Sequence, residues 1–169
     1  MTEKYKILGK YIKDMSSETP DIETYIFVRD YISKYQLNID INSKALKNKM
    51  IEINTILKFE DKQGNKKKSY FEINYSTIVQ INDEIKEKKD LEKIILCDVQ
   101  IEIYPELEKS FLNLLHNSGY PDVKFEKKVD FEQLYNQRLN EKKFLLRLFF
   151  KYSLCFFSSS VVGVTTFLK

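Results

Sequence analysis

An α+β fold is predicted: a four-stranded antiparallel sheet with helices packed on one of its faces. Three observations predict it. Apolar residues alternate with period two up to residue 81, the period lengthens to that of a helix afterwards, and a polar stretch containing glycine divides the two clearest strands. A length of 169 residues suits one domain and is enough to bury a core without disulfide staples.

The first strand is expected over residues 4–16. Tyr5, Ile7, Tyr11 and Met15 share one parity, and Lys4, Lys6, Lys10, Asp14 and Ser16 the other. Residues 21–35 follow as a connection carrying Ile22, Tyr25, Ile26, Phe27, Val28, Tyr31, Ile32 and Tyr35, too long and too aromatic to be a bare link. Leu37, Ile39 and Ile41 make a short second strand. Ile51, Ile53, Thr55, Leu57 and Phe59 make a third, and Asp61-Lys62-Gln63-Gly64-Asn65 supplies hairpin chemistry. The fourth strand is the clearest. Phe71, Ile73, Tyr75, Thr77, Val79 and Ile81 face a core, and Tyr70, Glu72, Asn74 and Gln80 face out.

Asn82 or Asp83 then caps a charged helix running to Lys93. Residues 94–104 fit helix or strand, since Ile95, Cys97, Val99, Ile101 and Ile103 alternate. Pro105 suits the first turn of a helix that carries Leu107, Phe111, Leu114 and Leu115 and ends at Gly119. Asp130 caps a last helix with Phe131, Leu134, Tyr135 and Leu139 on one stripe.

Composition narrows function. Hydrophobic residues make up 43% and charged residues 31%, which argues against wholesale disorder and against an all-membrane protein. Residues 141–169 hold five cations (Lys142, Lys143, Arg147, Lys151, Lys169) against Glu141, so they carry +4 of a chain total of +3 and leave residues 1–140 at −1. A body this neutral has no footprint for nucleic acid. The lysine runs at 66–68 and 86–89 read as a solvated turn and a solvated helix face. Cys97 and Cys155 stand apart, giving neither a disulfide framework nor a metal site, and a reducing compartment is the natural reading. The first ten residues lack an apolar signal core, so a cytoplasmic location is expected.

No nucleotide loop, metal spacing, nucleophile elbow or dinucleotide fingerprint is present. His116, the single histidine, falls near a helix C-terminus, where its charge favours the dipole. The sequence points to binding and not to catalysis, with no catalytic residue, cofactor or metal ligand to name. Asp14 and Glu18 share a parity on the first strand, and Glu72 lies on the outward face of the fourth. Two readings fit these carboxylates: an ordinary solvated sheet face, or an acidic docking patch for a basic partner.

These residues coincide with a known pattern. Tyr11-Ile12-Lys13-Asp14-Met15-Ser16-Ser17-Glu18-Thr19-Pro20 is similar to the opening strand of the SecB family of protein-export chaperones, where a Lys-Asp pair precedes a Glu-x-Pro end. The likeness continues through Leu37-Asn38-Ile39-Asp40-Ile41-Asn42, the hairpin over 50–81 with Tyr70-Phe71-Glu72-Ile73, Tyr104-Pro105, Gly119-Tyr120-Pro121 and Val129-Asp130-Phe131-Glu132-Gln133-Leu134-Tyr135. It spans residues 5–139 and suggests a SecB-like chaperone domain over 1–140 with an apolar and basic extension over 141–169.

The resemblance implies an ATP-independent chaperone, a homotetramer built as a dimer of dimers, that holds unfolded preproteins and delivers them to the SecA motor for export. It implies a SecA-docking patch at Asp14, Glu18, Tyr70 and Glu72. It also implies a client groove for which Ile22, Tyr25, Phe27, Tyr31, Ile39, Phe131, Leu134 and Tyr135 are the candidates, although the same aromatics also fit as core plugs. Some SecB-like proteins instead serve a single antitoxin of a toxin–antitoxin system. Residues 152–168 are an uncharged run of 17 residues. As a helix it would reach about 25 Å, short of a hydrocarbon core of about 30 Å. A membrane tether for an interaction module, packing within the oligomer, and an unordered or non-native extension all fit it.

Overall fold

The computed structural model describes residues 4–125, 128–140 and 164–167. Five strands form one antiparallel sheet: β1 (Tyr5–Glu18), β2 (Gln36–Ala45), β3 (Met50–Glu60), β4 (Tyr70–Ile81) and β5 (Val164–Phe167), in the order β1-β4-β3-β2-β5. The four expected strands are present, and a short fifth is added outside β2. The rest of the 141–169 extension, with Cys155, lies outside the described residues.

β3 and β4 pair with Phe59 opposite Phe71, Leu57 opposite Ile73 and Thr55 opposite Tyr75, so one face of the sheet is largely apolar. The turn joining β2 to β3 places Asn48 and Lys49 at φ 58° and 57°. These are the left-handed values that let a tight hairpin turn follow strand twist, and asparagine tolerates them better than most residues. In the β3–β4 loop the Asp61 carboxylate accepts from the backbone N–H groups of Gln63 and Asn65 at 2.9 and 3.0 Å, as that polar stretch leads one to expect.

The helices cover the apolar face. Residues 21–35 fold into α1 (Ile22–Tyr31) and a 3₁₀ turn (Ile32–Lys34), and the Asp21 carboxylate caps α1 by accepting from the Thr24 N–H at 2.7 Å. The second helix does not start at Asn82. That side chain accepts from the Glu84 N–H in a local turn, and α2 begins later (Lys88–Lys93). The ambiguous stretch over 94–104 is helical: a π turn (Ile94–Asp98) leads straight into α3 (Val99–Asn117), so Pro105 lies inside a helix and not at its start.

A buried amide accounts for that choice. Gln100 is fully buried, accepts from the Thr55 hydroxyl at 2.9 Å and donates to the Ile95 carbonyl at 2.9 Å, tying the π turn to the middle of β3. A strand over 94–104 would forfeit this tie. Gly119 ends α3 at φ 98°, with the Tyr120 N–H reaching back to the Leu115 carbonyl. A last helix, α4, spans residues 131–140 with Asp130 as its cap, donated to by the Gln133 N–H at 2.8 Å. Phe71, Ile73, Leu57, Ile103, Leu107, Phe111 and Leu115 form the centre of the core. Each such side chain contributes about 1.5–3 kcal/mol through removal from water.

β1 departs from simple alternation. Its register against β4 shifts between Ile7 and Gly9 and again between Ile12 and Asp14, leaving Leu8 and Lys13 as bulge residues. Between the bulges the parity is inverted: Lys10 pairs with inward-facing Thr77, and Tyr11 pairs with outward-facing Ser76. Tyr11 is therefore not on the core side, and the Lys10 ammonium turns toward α3 and pairs with Glu106. Past the second bulge the original parity returns.

Candidate functional site

Two surfaces carry the candidate residues. The first is the outer face of the sheet. Directly opposed residues of antiparallel strands share a face, and the register sets Asp14 against Asn74, Ser16 against Glu72, and Glu18 against Tyr70. The three carboxylates and the tyrosine thus lie together on the side away from the helices. Their surroundings differ. Glu72 accepts from the Tyr70 hydroxyl and forms an ion pair with Lys58, its partner in the β3 register, at 3.2 Å. Asp14 and Glu18 are exposed and form no ion pair among the described residues. Bulge residue Lys13 reaches across to Glu52 at 2.8 Å, and this hydrogen bond holds the Glu52 carboxyl below the usual range. The face is thus a mixed field in which Glu52 and Glu72 already have a lysine.

The second surface is apolar. On α1, Ile22 is 68% exposed and Ile26 is 47% exposed, one turn apart, while the rings of Phe27 and Tyr31 stack at 4.5 Å. The Lys34 ammonium sits 4.6 Å above the Tyr31 ring. Tyr25 points the other way. Its hydroxyl donates to the Gly119 carbonyl at 3.1 Å and its ring lies 5.5 Å from that of Tyr120. A Cβ on Gly119 would come within 2.8 Å of the Tyr25 ring, so this glycine serves both the positive φ and the docking of α1.

Three of the groove candidates are core residues. Ile39 is 1% exposed, Phe131 3% and Tyr135 7%. Ile39 lies on the packed face of β2, Phe131 is edge-on to Tyr104 at 5.3 Å, and the Tyr135 hydroxyl donates to the Lys89 carbonyl at 3.3 Å. In the folded protomer they offer little surface, and of the three Tyr135 alone lines a described pocket, with Lys89, Lys93, Cys97 and Glu132. Leu134 is half-buried. The exposed apolar set on this side is Ile22, Ile26 and Tyr31, with half-buried Phe27 and Tyr25 at its edge.

A third apolar row was not anticipated. Leu8, Tyr11, Ile12 and Met15 are each about half exposed along β1, an edge strand, and Ile101 of α3 is likewise exposed. A readable sign was present in the sequence: Ile7-Leu8 and Tyr11-Ile12 put apolar residues on both parities, which a strand with one wet face does not do. A cavity of about 150 Å³ lies beside β2, lined by Ile41, Ser43, Leu91, Ile95 and Leu96 with the stems of Lys88 and Glu92. His116 is in the last turn of α3, where its Nε2 lies 3.0 Å from the Val123 carbonyl. Cys97 is buried, which pushes its thiol up. Among the described residues, no helix is long and apolar enough to cross a membrane.

The family model for preprotein translocase subunit SecB matches residues 1–142. A candidate protein-export protein SecB of Pelagibacter ubique is 65% identical over 140 residues, covering 83% of this chain and 100% of its own. A protein-export protein SecB of Parvibaculum lavamentivorans is 22% identical over 133 residues, covering 79% of this chain and 77% of its own. Among solved structures, a Mycobacterium tuberculosis SecB-like chaperone in complex with an antitoxin peptide superposes with a TM-score of 0.52 at 10% identity, covering 74% of this chain and 91% of that one. That last likeness is one of fold.

Proposed function

The chain belongs to the SecB family of preprotein translocase subunits, and from that premise we propose that it is an ATP-independent holdase that binds unfolded preproteins in the cytoplasm and passes them to the SecA motor. The observation that carries the reading is the exposed apolar surface of α1, with Ile22, Ile26 and the Tyr31 ring presented to solvent, Tyr31 stacking on a half-buried Phe27, on a helix whose other side is pinned by Tyr25. Rigid aromatic area binds extended apolar polypeptide with little regard to sequence. A binder of the unfolded state needs no nucleotide to delay folding, because mass action suffices.

Asp14 and Glu18 are the free carboxylates of the docking face, whereas Glu72 is held by Tyr70 and Lys58, so a basic partner meets the β1 end first. The unpaired edge of β1 and its exposed apolar row support self-association into the dimers from which a tetramer is built. The export reading is favoured over service to one antitoxin by the names of the relatives at 65% and 22% identity.

Titration of reduced, carboxymethylated α-lactalbumin into the full chain, without nucleotide, tests the reading. Saturable binding that weakens at least tenfold in an Ile22→Asp/Ile26→Asp variant is expected. A chain that ignores this probe is not a holdase. Asp14→Lys/Glu18→Lys should leave client binding intact and weaken SecA binding, and unchanged SecA binding would remove the docking assignment.

A further inference from the structure

The edge of β2 is where a sheet of this order would stay open, and it is closed by a piece of the chain's own C-terminal region. β5 pairs antiparallel with it: Asn38 opposite Phe167, Ile39 opposite Thr166, Asp40 opposite Thr165 and Ile41 opposite Val164. Three features make this pairing more than a spare strand. β5 lies outside residues 1–142, the part that matches the family model. Its sequence, Val-Thr-Thr-Phe, is uncharged, β-branched and aromatic, the composition that an extended apolar segment presents to a sheet edge. The cavity of about 150 Å³ lined by Ile41, Ser43, Leu91, Ile95 and Leu96 adjoins the same strand, so backbone pairing and an apolar side-chain pocket lie next to one another.

We propose that β5 is an internal competitor: it occupies the β2 edge as an extended client segment would, and it must leave before a client can pair there. The proposal rests on the holdase reading and adds to it a second client surface, the β2 edge, and its regulation. β-Augmentation draws on main-chain hydrogen bonds, which any extended segment can supply, so a segment in cis competes with one in trans for the same N–H and C=O groups. Four residue pairs make a short ladder, which a longer client segment with apolar side chains can replace. The apparent affinity for clients is then lowered by the fraction of molecules whose edge is closed.

The full chain is compared with its Thr165→Pro/Thr166→Pro variant, since proline cannot donate to a ladder. Hydrogen exchange without client reads occupancy: those amides among residues 38–41 that point to β5 and not to β3 should be protected in the wild type and exchange at least about tenfold faster in the variant, the loss expected when a strand edge opens. Binding of reduced, carboxymethylated α-lactalbumin reads competition, and the variant should bind at least about threefold more tightly. Equal exchange at residues 38–41 overturns the proposal, and so does equal affinity in the presence of the exchange difference. If neither protein binds the probe, the holdase reading fails, while the exchange comparison still decides whether β5 holds the edge.

Discussion

β1 and β4 are neighbours in one sheet and behave in opposite ways. β4 has a strand on each side, pairs with β3 without a register break and buries Phe71, Ile73 and Val79 completely. β1 has one neighbour, needs fourteen residues to run alongside it and leaves Tyr11, Ile12 and Met15 about half exposed. A strand hydrogen-bonded on both sides has no freedom to slip, so its pattern is strict. An edge strand tolerates extra residues and becomes the place where the molecule meets others.

Four predictions test this contrast. The largest effect belongs to β4: Phe71→Ala should cost about 3–5 kcal/mol in urea unfolding, whereas Met15→Ala should cost under about 1 kcal/mol because its site is open to water. Equal losses would abolish the distinction. Next, Ile12→Asp/Met15→Asp should weaken self-association at least about tenfold, roughly 1.4 kcal/mol, in sedimentation while leaving the unfolding midpoint nearly unchanged. A variant that assembles normally would show that β1 is not the contact edge.

On the outer face, Lys58→Ala should change stability by only about 0.2–1 kcal/mol and should strengthen binding of a basic partner a few-fold by freeing Glu72, read by calorimetric titration at low salt. The smallest effect is one of pH. The Glu52 carboxyl is held below its ordinary 4.5 by the Lys13 hydrogen bond, so its contribution is present above that value and disappears as pH falls through the lower folded value. The difference in unfolding midpoint between wild type and Lys13→Ala should therefore be small at pH 7 and vanish toward pH 3.

Legibility from sequence follows the same contrast. β3 and β4 could be read to within a residue or two because burial on one face is strict. The inner parity of Tyr11 could not, because bulges at Leu8 and Lys13 leave no mark in composition. The carboxylate face was readable because two inversions cancel: Asp14 is the first residue after the second bulge, so Asp14, Ser16 and Glu18 keep the side that simple counting assigns. α1 hid behind its aromatics, although Pro20-Asp21 with Thr24 three residues on is a helix start. Residues 94–104 were undecidable locally, because the Gln100–Thr55 bond that favours the helix links residues 45 positions apart. The groove candidates divided by burial. A period shows which residues share a stripe, but not whether α4 turns that stripe to the core, as it does with Phe131 and Tyr135.

The two rims of the sheet are guarded by different means. β2 is regular from Gln36 to Ala45 and would accept strand after strand, and it is the rim that β5 covers. Among the described residues β1 has no strand on its outer side, but it is interrupted at Leu8 and Lys13, so an approaching strand finds only short straight runs of rungs before the ladder breaks. Contact there would then end with one partner instead of propagating into a fibre. On the holdase reading, a protein that works among unfolded chains could thus keep a sticky border without seeding aggregation itself.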